Sequence, residues 1–310
     1  MRILFAGTPA VAVPGLDALV QAGHEIALVL TRPDAPLGRK RVLTASPVAA
    51  RAEQLGLPVL RSARIDAPAT EAIAAAAPEL GVVIAYGGLV PPAALAVPPR
   101  GWLNLHFSLL PAWRGAAPVQ RAIMAGEAEG GVSVFRLVRE LDAGPLLATA
   151  PYRFGTEQTA GEALEALAGL GARVLTDTVA ALAAGTARER EQEGEPSYAA
   201  KLSAEDGRID WGADSRAVDA LIRGVTPEPG AFTELRGARV KVLRARRAAA
   251  GSPDPSAAPG TLLPAGGRIL VACGAGAVEL LQVQPAGRTP MRAADWARGL
   301  PGGGAGALLG

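Results

Sequence analysis

Two residue types that carry much of protein chemistry are nearly missing from these 310 residues: there is one cysteine, Cys273, and there are two histidines, His24 and His106. A lone cysteine excludes an intramolecular disulfide, and it leaves a zinc site short of the four Cys and His ligands that a structural site uses. The expectation is a cytoplasmic protein with no metal. Net charge is also small, +2, so the total does not mark a nucleic-acid binder, although a sequence pI near 9.0 leaves room for local basic patches. Long unbroken hydrophobic runs are missing too. Residues 80–99, "LGVVIAYGGLVPPAALAVPP", carry no charge, but Pro91, Pro92, Pro98, Pro99 and three glycines cut them into a strand, a turn and a short helix. No membrane span is expected. The N-terminal "MRILFAGTPAVAVPGLDALV" imitates a signal peptide until Gly7, Pro9, Pro14 and Gly15 break its apolar region.

What is present is 49% hydrophobic residues, enough for a core in one large or two ordinary domains. Short apolar runs ("RILFAG", "EIALVLT", "LPVLRS", "GVVIAY", "WLNLHF", "GVSVFRLV") alternate with Ala-rich segments. Runs without polar alternation are the mark of a parallel sheet covered on both faces, so residues 1–186 are expected to form an α/β, Rossmann-like doubly wound domain. "TAGEALEALAGLGARVLTDTVAALAAG" adds a long amphipathic helix. Residues 187–206 turn charged and polar and read as a linker. Residues 207–310 offer one helix, "SRAVDALIRGV", and several strands, expected to form a smaller OB-like β-barrel with a mobile "PGGGAGALLG" tail.

The glycine turn after the first run lacks the G-x-G-x-x-G fingerprint, because Pro9 stands where the second glycine is needed and has no N–H for a phosphate. No nucleotide cofactor is expected. His24 sits at a helix end beside Glu25, where a capping or surface role suffices. Asn104 and His106, two apart at a strand end, project on one face, and the carboxyl ends of strands in such sheets are where ligand crevices lie. A hydrogen-bonded core histidine is the competing reading. Asp142, in a Gly-containing turn after the next buried run, could face the same crevice. An amide, an imidazole and a carboxylate are too few ligands for a metal, and there is no marked serine nucleophile. They suit acyl transfer without a covalent intermediate: Asn104 donates to a developing oxyanion, His106 stabilises or shuttles charge, and Asp142 sets the imidazole and helps remove the amine proton.

The blocks "FAGTP", "TRPDAPLGRK…SPV", "AYG", "NLHFSLLPAWRGAAPVQRAI", "LDAGPLL", "YAAKLSAEDGRIDW" and "VLRA…APGTL" together closely resemble the methionyl-tRNA formyltransferase family, in order along nearly the whole chain. The resemblance implies the same catalytic trio, Asn104, His106 and Asp142. It implies 10-formyltetrahydrofolate as co-substrate, lined by Ser108, Leu109, Leu110 and Pro111 and by the loop of Tyr86, Gly87 and Gly88. The acceptor it implies is charged initiator tRNA, and the working form a monomer. Relatives with the same trio formylate small amines or hydrolyse formyltetrahydrofolate, so the trio alone leaves the acceptor open. The basic loop with Arg32, Arg39, Lys40 and Arg41 looks like the element that reaches the acceptor stem, and its composition predicts mobility. In "LRGARVKVLRARR", strand alternation puts Arg239, Lys241 and, after a slip or bend, Arg246 or Arg247 on one face suited to phosphates. Three positions depart from the family pattern: Phe107 where a small residue is usual, Gly88 where a larger aliphatic is expected, and "VTPEPGAF" without its common tryptophan.

Overall fold

The computed structural model describes residues 1–38, 41–249 and 257–310. The chain divides into two compact units. The first comprises Met1–Pro118, Gly130–Tyr152 and Leu164–Ala199, and the second Val119–Glu129, Arg153–Ala163 and Ala200–Gly310.

The first unit is built on seven strands: β1 (Arg2–Gly7), β2 (Glu25–Thr31), β3 (Val59–Arg61), β4 (Leu80–Ile84), β5 (Trp102–His106), β6 (Glu129–Arg136) and β7 (Leu146–Arg153). Their order is β7-β6-β5-β4-β1-β2-β3, and β1 to β5 run parallel to one another. The five residues of β4 are all buried, as an apolar run covered on both faces requires. The sheet is not parallel throughout: β6 pairs antiparallel with β5, Leu103 opposite Arg136 and His106 opposite Ser133. An apolar run buried on both faces reads alike in either direction, so the sequence did not show this reversal.

The strand order switches between β1 and β4, and a crevice is expected outside their carboxyl ends. The loops there are tied together, since the Thr8 hydroxyl donates to the Tyr86 carbonyl (2.8 Å) and accepts from the Arg32 N–H (3.3 Å). The Ala160–Ala183 helix is long and apolar enough to cross a membrane by length and composition alone. Its buried Leu167, Ala172, Leu175 and Val179 recur at helical spacing as a core stripe. A Cβ added at its Gly171 would stand 2.7 Å from Leu105 Cδ2, so glycine lets this helix seat against β5.

In the basic loop, expected from its composition to be mobile, Ala35–Leu37 and Val42–Thr44 pair antiparallel, and Leu37, Val42 and Leu43 are exposed. Arg39 and Lys40 lie outside the described residues.

The second unit carries an antiparallel sheet ordered Ala231–Leu235, Ala238–Arg247, Ala277–Pro285, Arg268–Ala272, Leu262–Ala265. Its core gathers Trp211, Val218, Ile222, Val242, Val271, Val283 and Trp296. The Trp211 indole N–H donates to Thr233 Oγ1 at 2.9 Å, which satisfies a buried donor. The C-terminal tail is not loose. Leu309 bridges Leu235, Leu308 bridges Thr261, and Glu234 and Gly310 exchange backbone hydrogen bonds of 2.7 and 3.0 Å. Its glycines supply positive φ at Gly302, Gly303, Gly304 and Gly306, so the composition that suggested mobility instead permits a tight turn back onto the sheet.

Candidate active site

Asn104 and His106 occupy the last turn of pleat on β5, on the face opposite Leu103 and Leu105. His106 is buried, and its Nε2–H donates to the Trp113 carbonyl at 2.9 Å. That acceptor fixes the neutral tautomer with the proton on Nε2, leaving the Nδ1 lone pair toward Asp142, whose Oδ2 lies 3.9 Å away. At this distance the two groups are neighbours without a hydrogen bond. Burial pushes the imidazole below its ordinary pKa, with the Asp142 carboxylate and the Trp113 carbonyl opposing the shift. The lowered pKa favours the neutral ring, the form that can accept a proton. Phe135 of β6 packs T-shaped against the ring, centroids 6.5 Å apart.

Asp142 arrives by an indirect route. Because β6 is antiparallel, its end at Arg136 lies beside the start of β5, and residues 137–145 must fold back to bring the carboxylate to His106. Asp142 takes a positive φ of 47°, uncommon outside glycine, and Oδ2 accepts from the Gly115 N–H at 2.8 Å. Such backbone strain persists only where surroundings hold it. Here the holder is Gln192, whose side-chain amide donates to the carbonyls of Asp142 (2.7 Å) and Gly144 (2.9 Å). Asn104 is half-buried and makes no side-chain hydrogen bond among the described residues, so its amide remains available to a ligand.

The expected folate-lining residues divide by how they could act. The Ser108 hydroxyl is spent inside its own loop on the Ala112 carbonyl (2.5 Å), and Ser133 Oγ, buried on β6, donates to the Ser108 carbonyl (2.7 Å) and accepts from Leu110 N–H (3.1 Å). Leu110 packs with Phe135 and Leu146, and Leu109 lies over Gly131, so "SLLP" shapes the crevice mainly through its backbone. Tyr86 is a core residue, with its hydroxyl on the Ser62 carbonyl (3.1 Å) and its own carbonyl accepting from Thr8, so its side chain is not available to a ligand. Gly87 has open space at its Cβ position, whereas a Cβ at Gly88 would stand 2.8 Å from Tyr86 Cε1. The departure at Gly88 thus matches this placement of the tyrosine ring. Phe107 is buried.

Of the basic residues, Arg32 donates to the Ala63 carbonyl and Arg41 is exposed. In the second unit the register of the Ala238–Arg247 strand shifts around Arg244, so that Arg239 and Lys241 point outward before the shift and Arg246 and Arg247 after it. The Arg239 guanidinium stacks 3.4 Å from the Phe232 ring centre, and Arg246 pairs with Glu279 at 3.0 Å. Lys241 and Arg247 have no salt bridge among the described residues. Sequence reasoning missed Trp113, Gly115, Ser133, Gln192 and Ser197. Ser133 did leave a signal: a lone hydroxyl within the apolar "GVSVF" needs a partner.

A formyl transferase family model matches residues 1–179, and a model of the formyl transferase C-terminal domain matches residues 201–301. The methionyl-tRNA formyltransferase of Clavibacter michiganensis is 57% identical over 97% of this chain and 97% of its own, and that of Streptomyces coelicolor is 49% identical over 96% of each. The chain belongs to the methionyl-tRNA formyltransferase family. Solved structures bear out its fold: a sugar 3N-formyl transferase, WlaRD, superposes with a TM-score of 0.67 at 14% identity, covering 93% of this chain and 99% of that one. The methionyl-tRNA formyltransferase from Clostridium thermocellum superposes with a TM-score of 0.57 at 16% identity over 81% of this chain and 95% of its own.

Proposed function

We propose that the chain transfers the formyl group of 10-formyltetrahydrofolate to the amino group of initiator methionyl-tRNA, giving N-formylmethionyl-tRNA and tetrahydrofolate, as a monomer in the cytoplasm. One observation carries the reading: a buried imidazole held beside Asp142 and on the Trp113 carbonyl, next to an uncommitted Asn104 amide on the same strand face. The co-substrate supplies an activated formyl carbon on a nitrogen leaving group. Attack by the methionyl amine moves negative charge onto the formyl oxygen and leaves a proton on the amine. Asn104 is placed to donate to that oxygen as charge develops, the kind of donor that removes most from a barrier in a water-poor site. His106 Nδ1 can take the proton, and the imidazolium so formed gains a charge partner in Asp142; returning the proton to the leaving nitrogen closes the balance. The free Gly87 turn, the "SLLP" backbone and the uncommitted amide fit a flat, polar-edged folate better than a metal or a nucleotide phosphate.

The second unit supports a tRNA acceptor over a small amine. Arg239, Lys241, Arg246 and Arg247 lie outward on one strand, and together with Arg32 and Arg41 they would bind phosphates without reading sequence. Leu308 and Leu309 link the residues at the two edge strands of that sheet, which supports closure into an OB-like barrel. The deciding assay follows formyl transfer from 10-formyltetrahydrofolate with and without charged initiator tRNA. Formylmethionine on the tRNA is expected; folate turnover indifferent to tRNA would refute the acceptor.

A further inference from the structure

The chain between the long helix and the second unit, residues 186–199, looks dispensable by composition, yet it bonds to Asp142 and to Trp113, the residue whose carbonyl accepts from His106. Arg190 exchanges backbone hydrogen bonds with Leu146 (2.7 and 2.9 Å), and Tyr198–Ala199 pairs parallel with Arg114–Gly115. Anchored at both ends, this segment passes beneath the Asp142 loop. Gln192 makes the four bonds an amide can make: its NH2 donates to the carbonyls of Asp142 and Gly144, and its oxygen accepts from Arg114 Nε (3.2 Å) and Nη2 (2.6 Å). Five residues on, Ser197 Oγ accepts from the Trp113 N–H at 2.9 Å, and the Ser197 carbonyl from the Arg114 N–H at 2.8 Å. Trp113 is the residue whose carbonyl takes the His106 Nε2–H, and it has a positive φ of 61°. Gly115, which donates to Asp142, admits the segment only because it lacks a side chain: a Cβ there would stand 2.7 Å from the Ala199 carbonyl oxygen.

We propose that residues 192–197 form a positioning strap, in which Gln192 holds the Asp142 turn and Ser197 holds the Trp113 turn, so that imidazole and carboxylate keep their spacing through the reaction. Neither residue touches the reacting atoms. Both act through backbone groups of turns in which Asp142 and Trp113 take positive φ. The strap rests on the formyl-transfer reading above.

The test uses the full chain with methionyl-tRNA and 10-formyltetrahydrofolate. Gln192→Glu keeps an acceptor for Arg114 but turns two donated bonds into repulsion between oxygens. It is expected to melt near the wild-type temperature while kcat falls about tenfold to a hundredfold, the scale of a small misplacement of catalytic groups, with both KM values within about twofold. Ser197→Ala should lower kcat less, and Ser197→Thr, which keeps the hydroxyl, should restore it. The pH profile supplies a readout that loss of packing would not move. Among the described residues Asp142 is the charged group facing His106, beside the neutral ring of Phe135 and the Trp113 carbonyl. The carboxylate and the carbonyl both hold the imidazole pKa up against burial, so loosening the Trp113 carbonyl in Ser197→Ala, which adds no charge, shifts the acid limb of kcat/KM to lower pH. Wild-type kcat in Gln192→Glu together with an unmoved acid limb in Ser197→Ala would overturn the strap. A wild-type protein that makes no formylmethionyl-tRNA in the same assay would instead overturn the function on which it rests.

Discussion

The crevice of the first unit and the basic strand of the second use charge in opposite ways. His106 and Asp142 are 6% and 7% exposed, and each is fixed by a named backbone partner. Lys241 and Arg247 are exposed at the ends of flexible stems and form no salt bridge among the described residues, although the Asp219 carboxylate feels the charge of Arg247. Chemistry at a formyl carbon depends on position, since a group misplaced by an ångström loses most of its effect. Affinity for a polyanion depends on the number of cations within reach, and it falls with salt. Damage to the two regions should therefore appear in different kinetic constants.

The largest effect is expected at the crevice. Asn104→Ala removes the donor to the developing oxyanion and should lower kcat about a hundredfold or more. His106→Ala removes the proton acceptor and should cost a similar factor. Neither change should raise KM for tRNA more than about twofold, because neither side chain holds the acceptor before the reaction. Steady-state kinetics with each substrate varied separates the constants. A rise in KM for tRNA with kcat preserved would break the comparison, by making the crevice a docking site.

Asn104 and His106 could be found in the sequence because strand alternation and a strand end are local facts, readable from spacing alone. Asp142 was found as a turn acid, but its path was not, since the direction of β6 depends on pairing that an apolar run does not encode. Gln192 and Ser197 were hidden for a different reason. They bind carbonyl and amide groups, which every residue carries, so no residue pattern at Asp142, Gly144 or Trp113 marks them. The tail misled in the same way: its glycines allow either disorder or a tight return, and only the hydrogen bonds to Glu234 and Gly260 decide. Composition also drew attention to Arg246, whose charge is partly spent on Glu279.

An intermediate effect is expected on the second unit. Replacing Lys241 and Arg247 together by Gln should raise KM for tRNA several-fold and leave kcat and the KM for folate in place. The dependence of tRNA affinity on salt should weaken by about one unit of slope for each phosphate that the variant no longer neutralises. Titrating KM for tRNA against salt for both proteins measures this. An unchanged slope would mean that these cations meet no phosphate, and the contrast between the units would lose its second half.

The smallest effect is expected at the other histidine, and it tests the assignment of the acid limb. His24 shares with His106 a pKa below the ordinary value, but for different reasons: partial burial first, then the positive charge of the Met1 amino group, which lies 3.3 Å from Nδ1. No carboxylate opposes the shift. Above the unfolded pKa of about 6.5 the ring is neutral in both folded and unfolded chains, so His24→Gln leaves stability there unchanged by this route. Below it the unfolded chain takes up a proton that the folded chain resists, so wild-type stability falls as pH falls from that value toward the folded pKa. Gln has nothing to protonate, and the variant should lose slightly less stability between pH 7 and pH 5. Its kcat/KM profile should overlay that of the wild type, because His24 is outside the crevice. An acid limb that moved in His24→Gln would show that the limb does not report His106, and the pH readout of the Ser197 variant would lose its meaning with it.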